Sequence, residues 1–134
     1  MTATPQPDAS PGRRSEVSAA LAACLPSQAV LTAREDLLPY ECDGLSAYRQ
    51  TPLVAVLPAT VAEAAEVLRV ARETGTPVVA RGSGTGLSGG ALPLADGILL
   101  SLGKFNRILA IDPLARTARA QPGVRNAQIT EAAA

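Results

Sequence analysis

Apolar residues run without interruption from Leu53 to Leu57 and stop at Pro58, which is the length and composition of a buried β-strand. The period then changes. Val61, Ala64, Ala65, Leu68 and Ala71 recur at helical spacing, while Glu63, Glu66, Arg69 and Glu73 fall on the other side. Thr60 and Glu63 make a capping box at the start of this helix, and Gly75 stands where a left-handed C-terminal cap belongs. Pro77-Val-Val-Ala80 is apolar again, so the whole reads as a β-α-β unit. Further strands are predicted at Gly97–Ser101, Ile108–Ile111 and Thr117–Ala120, with Asp112-Pro113 turning between the last two. A second turn at Gln121-Pro-Gly-Val124 leads to Asn126, which is placed to cap a final helix through Gln128, Ile129 and Ala132.

Upstream, Val17, Leu21 and Leu25 at helical spacing predict a helix over Glu16–Leu25, closed by Pro26. Ala29–Thr32 reads as a short strand. Thr32 and Glu35 form a second capping box opening a turn of helix to Leu38, which Pro39 ends. Tyr40–Thr51 has neither period and contains the Asp43-Gly44 turn signal, so an ordered loop is expected. Met1–Gly12 holds three prolines and no bulky apolar residue after Met1, a stretch too poor in burial to order itself. The resulting organisation is a disordered tail over 1–14, an N-terminal helix and entry loop over 15–51, and an α/β unit over 52–134. The fold class is α+β, more narrowly α/β, with a mixed sheet flanked by helices. Helices are too few to cover both sheet faces, which predicts a truncated domain, part of a longer protein.

Composition narrows the function classes. Twelve basic residues balance twelve acidic ones, and Arg13-Arg14 is the only basic cluster, so a nucleic-acid partner is not expected. The chain contains no histidine, which removes a His-based metal site or a Ser-His-Asp triad, and no metal site is assigned. Two cysteines without Cys-x-x-Cys spacing point to a reducing compartment, hence a cytoplasmic location. Arg13-Arg14 followed by Leu21-Ala-Ala-Cys24 imitates an exported lipoprotein leader. The intervening Ser15–Ala20 is short and carries Glu16, whereas a signal core needs roughly 7–15 apolar residues.

The chemistry concentrates in one loop. Arg81-Gly-Ser-Gly-Thr-Gly-Leu-Ser-Gly-Gly90 places five glycines directly after a strand, where amide N–H groups can converge on an anion such as phosphate or pyrophosphate. Gly84–Gly89 satisfies G-x-G-x-x-G, but the dinucleotide fingerprint needs that loop to open a helix. Pro93 and Asp96-Gly97 leave no room for one, and the acidic residue expected about 20 positions on is met only loosely by Asp112. No Gly-Lys-Ser or Gly-Lys-Thr follows, which excludes a P-loop. A glycine-rich connection with no ligand is the plain alternative.

Pro77–Gly90, with a strand ending at Pro58, a helix before the loop and Gln121-Pro-Gly-Val124 after it, resembles the FAD-binding domain shared by vanillyl-alcohol oxidase and p-cresol methylhydroxylase. Pro39–Arg49, Leu87–Leu94 and Gln121–Asn126 further resemble the FAD subunits of bacterial glycolate oxidases. One departure is Ser83, where alanine or glycine is common. The resemblance implies FAD as cofactor, its pyrophosphate held by the amides of Gly82, Ser83, Gly84, Thr85 and Gly86, with Ser88, Gly89 and Gly90 continuing the wall. Arg81 either supplies charge or forms a structural ion pair at the loop's base. Pro122 and Gly123 match a second turn along the cofactor, or else are a plain hairpin turn. Tyr40–Arg49 matches an entry segment without assigned chemistry. Asp43 and Arg49 within it read as solvated loop charges or local ion pairs.

The implied reaction is oxidation of a small 2-hydroxy acid, glycolate to glyoxylate, by hydride transfer to the flavin, with a D-lactate dehydrogenase as a variant. Electrons would pass to partner subunits, with peripheral attachment at the inner membrane through them. No catalytic residue is assigned, because the base and the carboxylate clamp belong to a later substrate domain. A non-catalytic nucleotide- or phosphate-binding module is the reading from another class.

Overall fold

A computed structural model describes residues 11–134 of the chain. The first helix, α1, spans Pro11–Ala22 and buries Val17 and Leu21, with Leu25 buried just beyond its end. Helical structure therefore begins inside the stretch assigned to the tail, of which residues 1–10 lie outside the described part. Proline is at home in a helix's first turn. The Arg13 guanidinium donates to the carbonyl of Gly75 at 3.1 Å, tying the start of α1 to a distant turn.

Strand β1 (Val30–Leu31) follows, then the short helix α2 (Arg34–Leu37). The Thr32 capping box does not form: Ala33 occupies the cap position and contributes no side-chain bond. Leu37, fully buried, anchors this turn through apolar packing instead.

The central unit is β2 (Val54–Val56), α3 (Val61–Thr74), β3 (Val78–Arg81) and β4 (Ile98–Ser101). Sheet order is β1-β2-β4-β3, with β4 parallel to both of its neighbours and β1 antiparallel at one edge. It is the expected mixed sheet. Alternate residues serve opposite faces. Val54, Val56, Ile98 and Leu100 pack under α1 and α3, while Ala55 and Leu99 pack with Leu37, Leu31, Tyr40 and Val79. Burial on both sides is why these strands read as unbroken apolar runs.

Both ends of α3 match the sequence. Thr60 Oγ1 accepts from the Glu63 amide at 3.2 Å, and Glu63 reaches back to the amide of Ala59 at 2.7 Å, one residue earlier than in the usual reciprocal box. Gly75 closes the helix at φ +61°, a conformation costly for any residue with a Cβ. The buried face differs from the expected one. Val67, Val70 and Ala71 face the core, whereas Val61 and Leu68 are 76% and 53% exposed. Small alanines shift the apparent apolar arc by roughly a quarter turn at 3.6 residues per turn, while the bulkier Val67 and Val70 mark the stripe that fits β4 and α1.

After β4 the chain forms an antiparallel hairpin, β5 (Ile108–Asp112) and β6 (Thr117–Ala120), and ends in α4 (Asn126–Ala133). Asp112 Oδ1 accepts the amides of Leu114 and Ala115 at 3.0 and 2.9 Å, fixing the hairpin turn. The cap of α4 is Arg125 rather than Asn126. Gln128 Oε1 accepts from the Arg125 amide at 2.9 Å, and this backward bond sets the helix start one residue earlier.

Candidate functional site

Parallel strands β3 and β4 end side by side, Arg81 opposite Ser101, and the loops leaving them diverge at that edge. Ligands of open α/β sheets bind beyond such carboxyl ends. A cleft of about 570 Å³ lies there, within the range of nucleotide and small-molecule sites. Four segments border it: the entry loop at Tyr40 and Asp43, the start of the glycine loop, the residues after β4, and the turn at Gly123 with Arg125.

These loops dock backbone on backbone, which explains three glycines. A Cβ on Gly82 would run into the carbonyl of Pro122. A Cβ on Gly44 would sit 2.7 Å from the carbonyl oxygen of Gly86, and one on Gly123 would meet the carbonyls of Leu102, Gly103 and Phe105 at 2.7–2.8 Å. Contacts below 3.0 Å to backbone cannot be relieved by side-chain motion, so the cleft walls exist only because these side chains are absent. The Gly123 amide also donates to the Phe105 carbonyl at 2.7 Å.

From Gly82 to Gly97 the chain forms no helix, so the loop is not the helix-opening kind its G-x-G-x-x-G pattern imitates. None of the backbone N–H groups from Ser83 to Gly90 donates to another described residue. Consecutive unspent donors of this kind are the raw material of an anion nest. Ser83 Oγ and Thr85 Oγ1 lie 3.1 Å apart, so the two hydroxyls share a hydrogen bond.

Arg81 turns inward. Only 6% exposed, it donates through Nη2 to the carbonyls of Tyr40 at 3.1 Å and Ala91 at 2.8 Å, clamping the entry loop and the far end of the glycine loop together. Burial pushes its pKa below the ordinary arginine value, opposed by the negative charge of Asp43. Among the described residues no carboxylate comes within ion-pair distance of it. Its partners are thus carbonyls, and the ion pair weighed for Arg81 does not form; Arg49 in the entry loop, weighed separately as a local ion pair, does pair with Glu41.

Of the residues singled out from sequence, Arg81, Gly82, Ser83, Gly84 and Gly123 line the cleft together. Thr85, Gly86, Ser88, Gly89, Gly90 and Pro122 do not line it; Gly86 and Pro122 instead supply the carbonyls on which Gly44 and Gly82 rest. Sequence reasoning assigned no part in the cleft to Asp43, Ser101, Asn106, Arg125 or Gln128, all of which border it. The Asp43-Gly44 pair carried a usable signal, a turn whose glycine is a docking point. The others had none, because nothing local tells that a strand end and a distant helix start converge.

Comparison with known proteins agrees with this geometry. Residues 52–134 match the family described as "FAD binding domain". The chain is 50% identical over 121 residues to the glycolate oxidase subunit GlcD of Escherichia coli, covering 90% of this chain and 24% of that protein. It is 42% identical over 80 residues to a D-lactate dehydrogenase of Archaeoglobus fulgidus, covering 60% of this chain and 18% of that one. In fold it is similar to p-cresol methylhydroxylase, with a TM-score of 0.73 and 24% identity over 92% of this chain and 25% of that structure. A 4-ethylphenol oxidase from Gulosibacter chungangensis superposes with a TM-score of 0.77, also at 24% identity, over 92% of this chain and 24% of that one. The chain therefore spans about a quarter or less of the length of these proteins.

Proposed function

We propose, for a chain that belongs to the FAD-binding domain family, that it forms the pyrophosphate-holding part of an FAD-dependent oxidoreductase acting on a small 2-hydroxy acid, glycolate being the substrate. The observation that carries the reading is the run of uncommitted amides from Ser83 to Gly90 beside a cleft walled by close-packed glycines. Two of the three segments that resemble glycolate oxidase FAD subunits, Pro39–Arg49 and Gln121–Asn126, border that cleft beside the start of the glycine loop, whereas Leu87–Leu94 does not line it.

The residues fit the cofactor. The amides of Gly82, Ser83 and Gly84, with Gly123 beside them, would hold the pyrophosphate in the cleft, while Thr85, Gly86, Ser88, Gly89, Gly90 and Pro122, which do not line the cleft, would extend that wall beyond it. Arg125 brings a cation to the cleft, while Arg81 fixes the loop's shape through two carbonyls. FAD supplies an acceptor for the two electrons of alcohol oxidation when bound. The chain's own part is binding, orientation and exclusion of water. The base and the carboxylate clamp lie outside these residues, in a substrate domain.

The protein works with partner subunits, in keeping with the subunit name of the Escherichia coli relative. We place it in the cytoplasm, peripheral to the inner membrane through those partners; among the described residues no helix is long and apolar enough to cross a membrane. D-lactate is the second substrate reading, favoured by the likeness to the Archaeoglobus enzyme. Reconstituting the full-length gene product with FAD and recording its visible spectrum tests the cofactor, and reduction by glycolate against D-lactate ranks the substrates. Absence of bound flavin would overturn the reading. The 134-residue chain by itself should retain little FAD, and stoichiometric quenching of flavin fluorescence by it would contradict that expectation.

A further inference from the structure

Asp43, Arg81 and Arg125 are the charged residues bordering the cleft. Two of them answer each other. Asp43 and Arg81 are both buried, and the negative charge of Asp43 favours the charged guanidinium of Arg81, whose Nη2 is already spent on the carbonyls of Tyr40 and Ala91. Arg125 stands apart. It is exposed, and among the described residues no carboxylate lies within ion-pair distance of it. The cleft therefore presents one accessible positive charge that nothing opposes.

Its neighbours fix where that charge sits. The carbonyl of Pro122 packs against Gly82, so the chain entering α4 is held against the first residue of the glycine loop, and Val124 is buried between that contact and the helix. Gln128 Oε1 accepts from the Arg125 amide at 2.9 Å and from its Nε at 3.5 Å, tying backbone and guanidinium to the first turn of α4. Neither Nη group bonds a described residue. Across the same cleft stand Ser83 and Gly84, whose amides donate to no described residue either. A guanidinium fork on one wall and free amides on the other suit an anion with oxygens enough for both. A pyrophosphate, charged on both phosphates, meets that requirement better than a single carboxylate. We propose that Arg125 is the counter-ion of the FAD pyrophosphate, bonding its oxygens from the α4 side while the amides of Ser83 and Gly84 hold them from the glycine loop. The inference rests on the FAD reading of this cleft.

The test uses the full-length gene product in its apo form, titrated with FAD and followed by quenching of flavin fluorescence. At low salt Arg125→Gln should bind FAD about 10-fold more weakly, with the apo melting temperature unchanged, and Arg125→Lys should recover part of that loss. Screening gives a second signature: wild-type affinity should fall as salt is raised, and that of Arg125→Gln should fall less. Arg119→Gln removes an exposed cation that does not line the cleft, and it should bind as the wild type does. Should Arg125→Gln lower the melting temperature, Arg125→Met, which keeps the apolar stem, takes its place. An Arg125→Gln protein that binds FAD as tightly as the wild type, with the same salt dependence, overturns the inference alone. So does an equal loss in Arg119→Gln, which would make the effect one of net charge. A raised KM for glycolate at unchanged FAD affinity would give the arginine to the substrate carboxylate, and overturns it too. A wild-type protein that takes up no FAD overturns the cofactor reading and this inference with it.

Discussion

The two halves of the molecule are held together by different means. In the β1-β2-β4-β3 sheet every residue of β2 and β4 is buried, and side chains on both faces have partners in α1, α3, α2 and Tyr40. The β5-β6 hairpin and α4 contain no buried residue at all; Leu109 is 47% exposed and Leu114 98%. The first half coheres through apolar burial, at about 1.5–3 kcal/mol for each large side chain withdrawn from water. The second is joined to it through backbone contacts at Gly123 and Pro122. The cleft sits on that seam, so its shape depends on a tightly packed wall and a lightly attached one.

Leu99→Ala should separate the halves most sharply. Leu99 is fully buried in the central strand, and its truncation should cost about 2–5 kcal/mol in urea denaturation. A loss below about 1 kcal/mol would mean that the sheet is less tightly packed than its burial implies. Gly82→Ala acts on the seam itself. Its Cβ meets the Pro122 carbonyl, and overpacking of this kind costs about 1–3 kcal/mol. FAD affinity of the full-length protein should fall with it, more than for Leu99→Ala despite the larger stability loss expected there, because the cleft wall moves; equal losses in a titration of both variants would detach the seam from ligand binding.

Thr60→Ala removes the cap of α3 and should cost about 1 kcal/mol, read as a lower urea midpoint at unchanged slope. Leu114→Ala should change stability by less than about 0.5 kcal/mol, since the side chain touches almost nothing. A larger effect in the full-length protein would show that another part of it covers the hairpin tip.

Strands were legible wherever burial is two-sided, as at Leu53–Leu57 and Gly97–Ser101, because a short continuous apolar run bounded by proline or glycine is too brief for a buried helix. Helix ends were legible where a cap has a chemical requirement, as with Thr60 and Gly75. The facing of α3 was not. Periodicity gives an arc, and with five of its fourteen residues either alanine or threonine the arc's centre depends on what it packs against. Capping at Thr32 and Asn126 went astray for a related reason: a side chain able to cap does so only when tertiary contacts set the backbone there.

The glycine loop shows the same division. Sequence alone determined that the glycine-rich segment to Gly90 follows a strand and opens no helix, because Pro93 and Asp96-Gly97 forbid the alternative whatever surrounds them; that its amides are free is a property of the folded loop. Apart from Gly123, singled out by resemblance, and the Asp43-Gly44 turn signal, sequence determined nothing about what completes the cleft. That Asp43, Ser101 and Arg125 border it, that Arg81 binds carbonyls, and that Gly44, Gly82 and Gly123 are docking points was decided by the tertiary structure. Most of these contacts join residues about 20 to 40 positions apart, and local propensity carries no information over that distance.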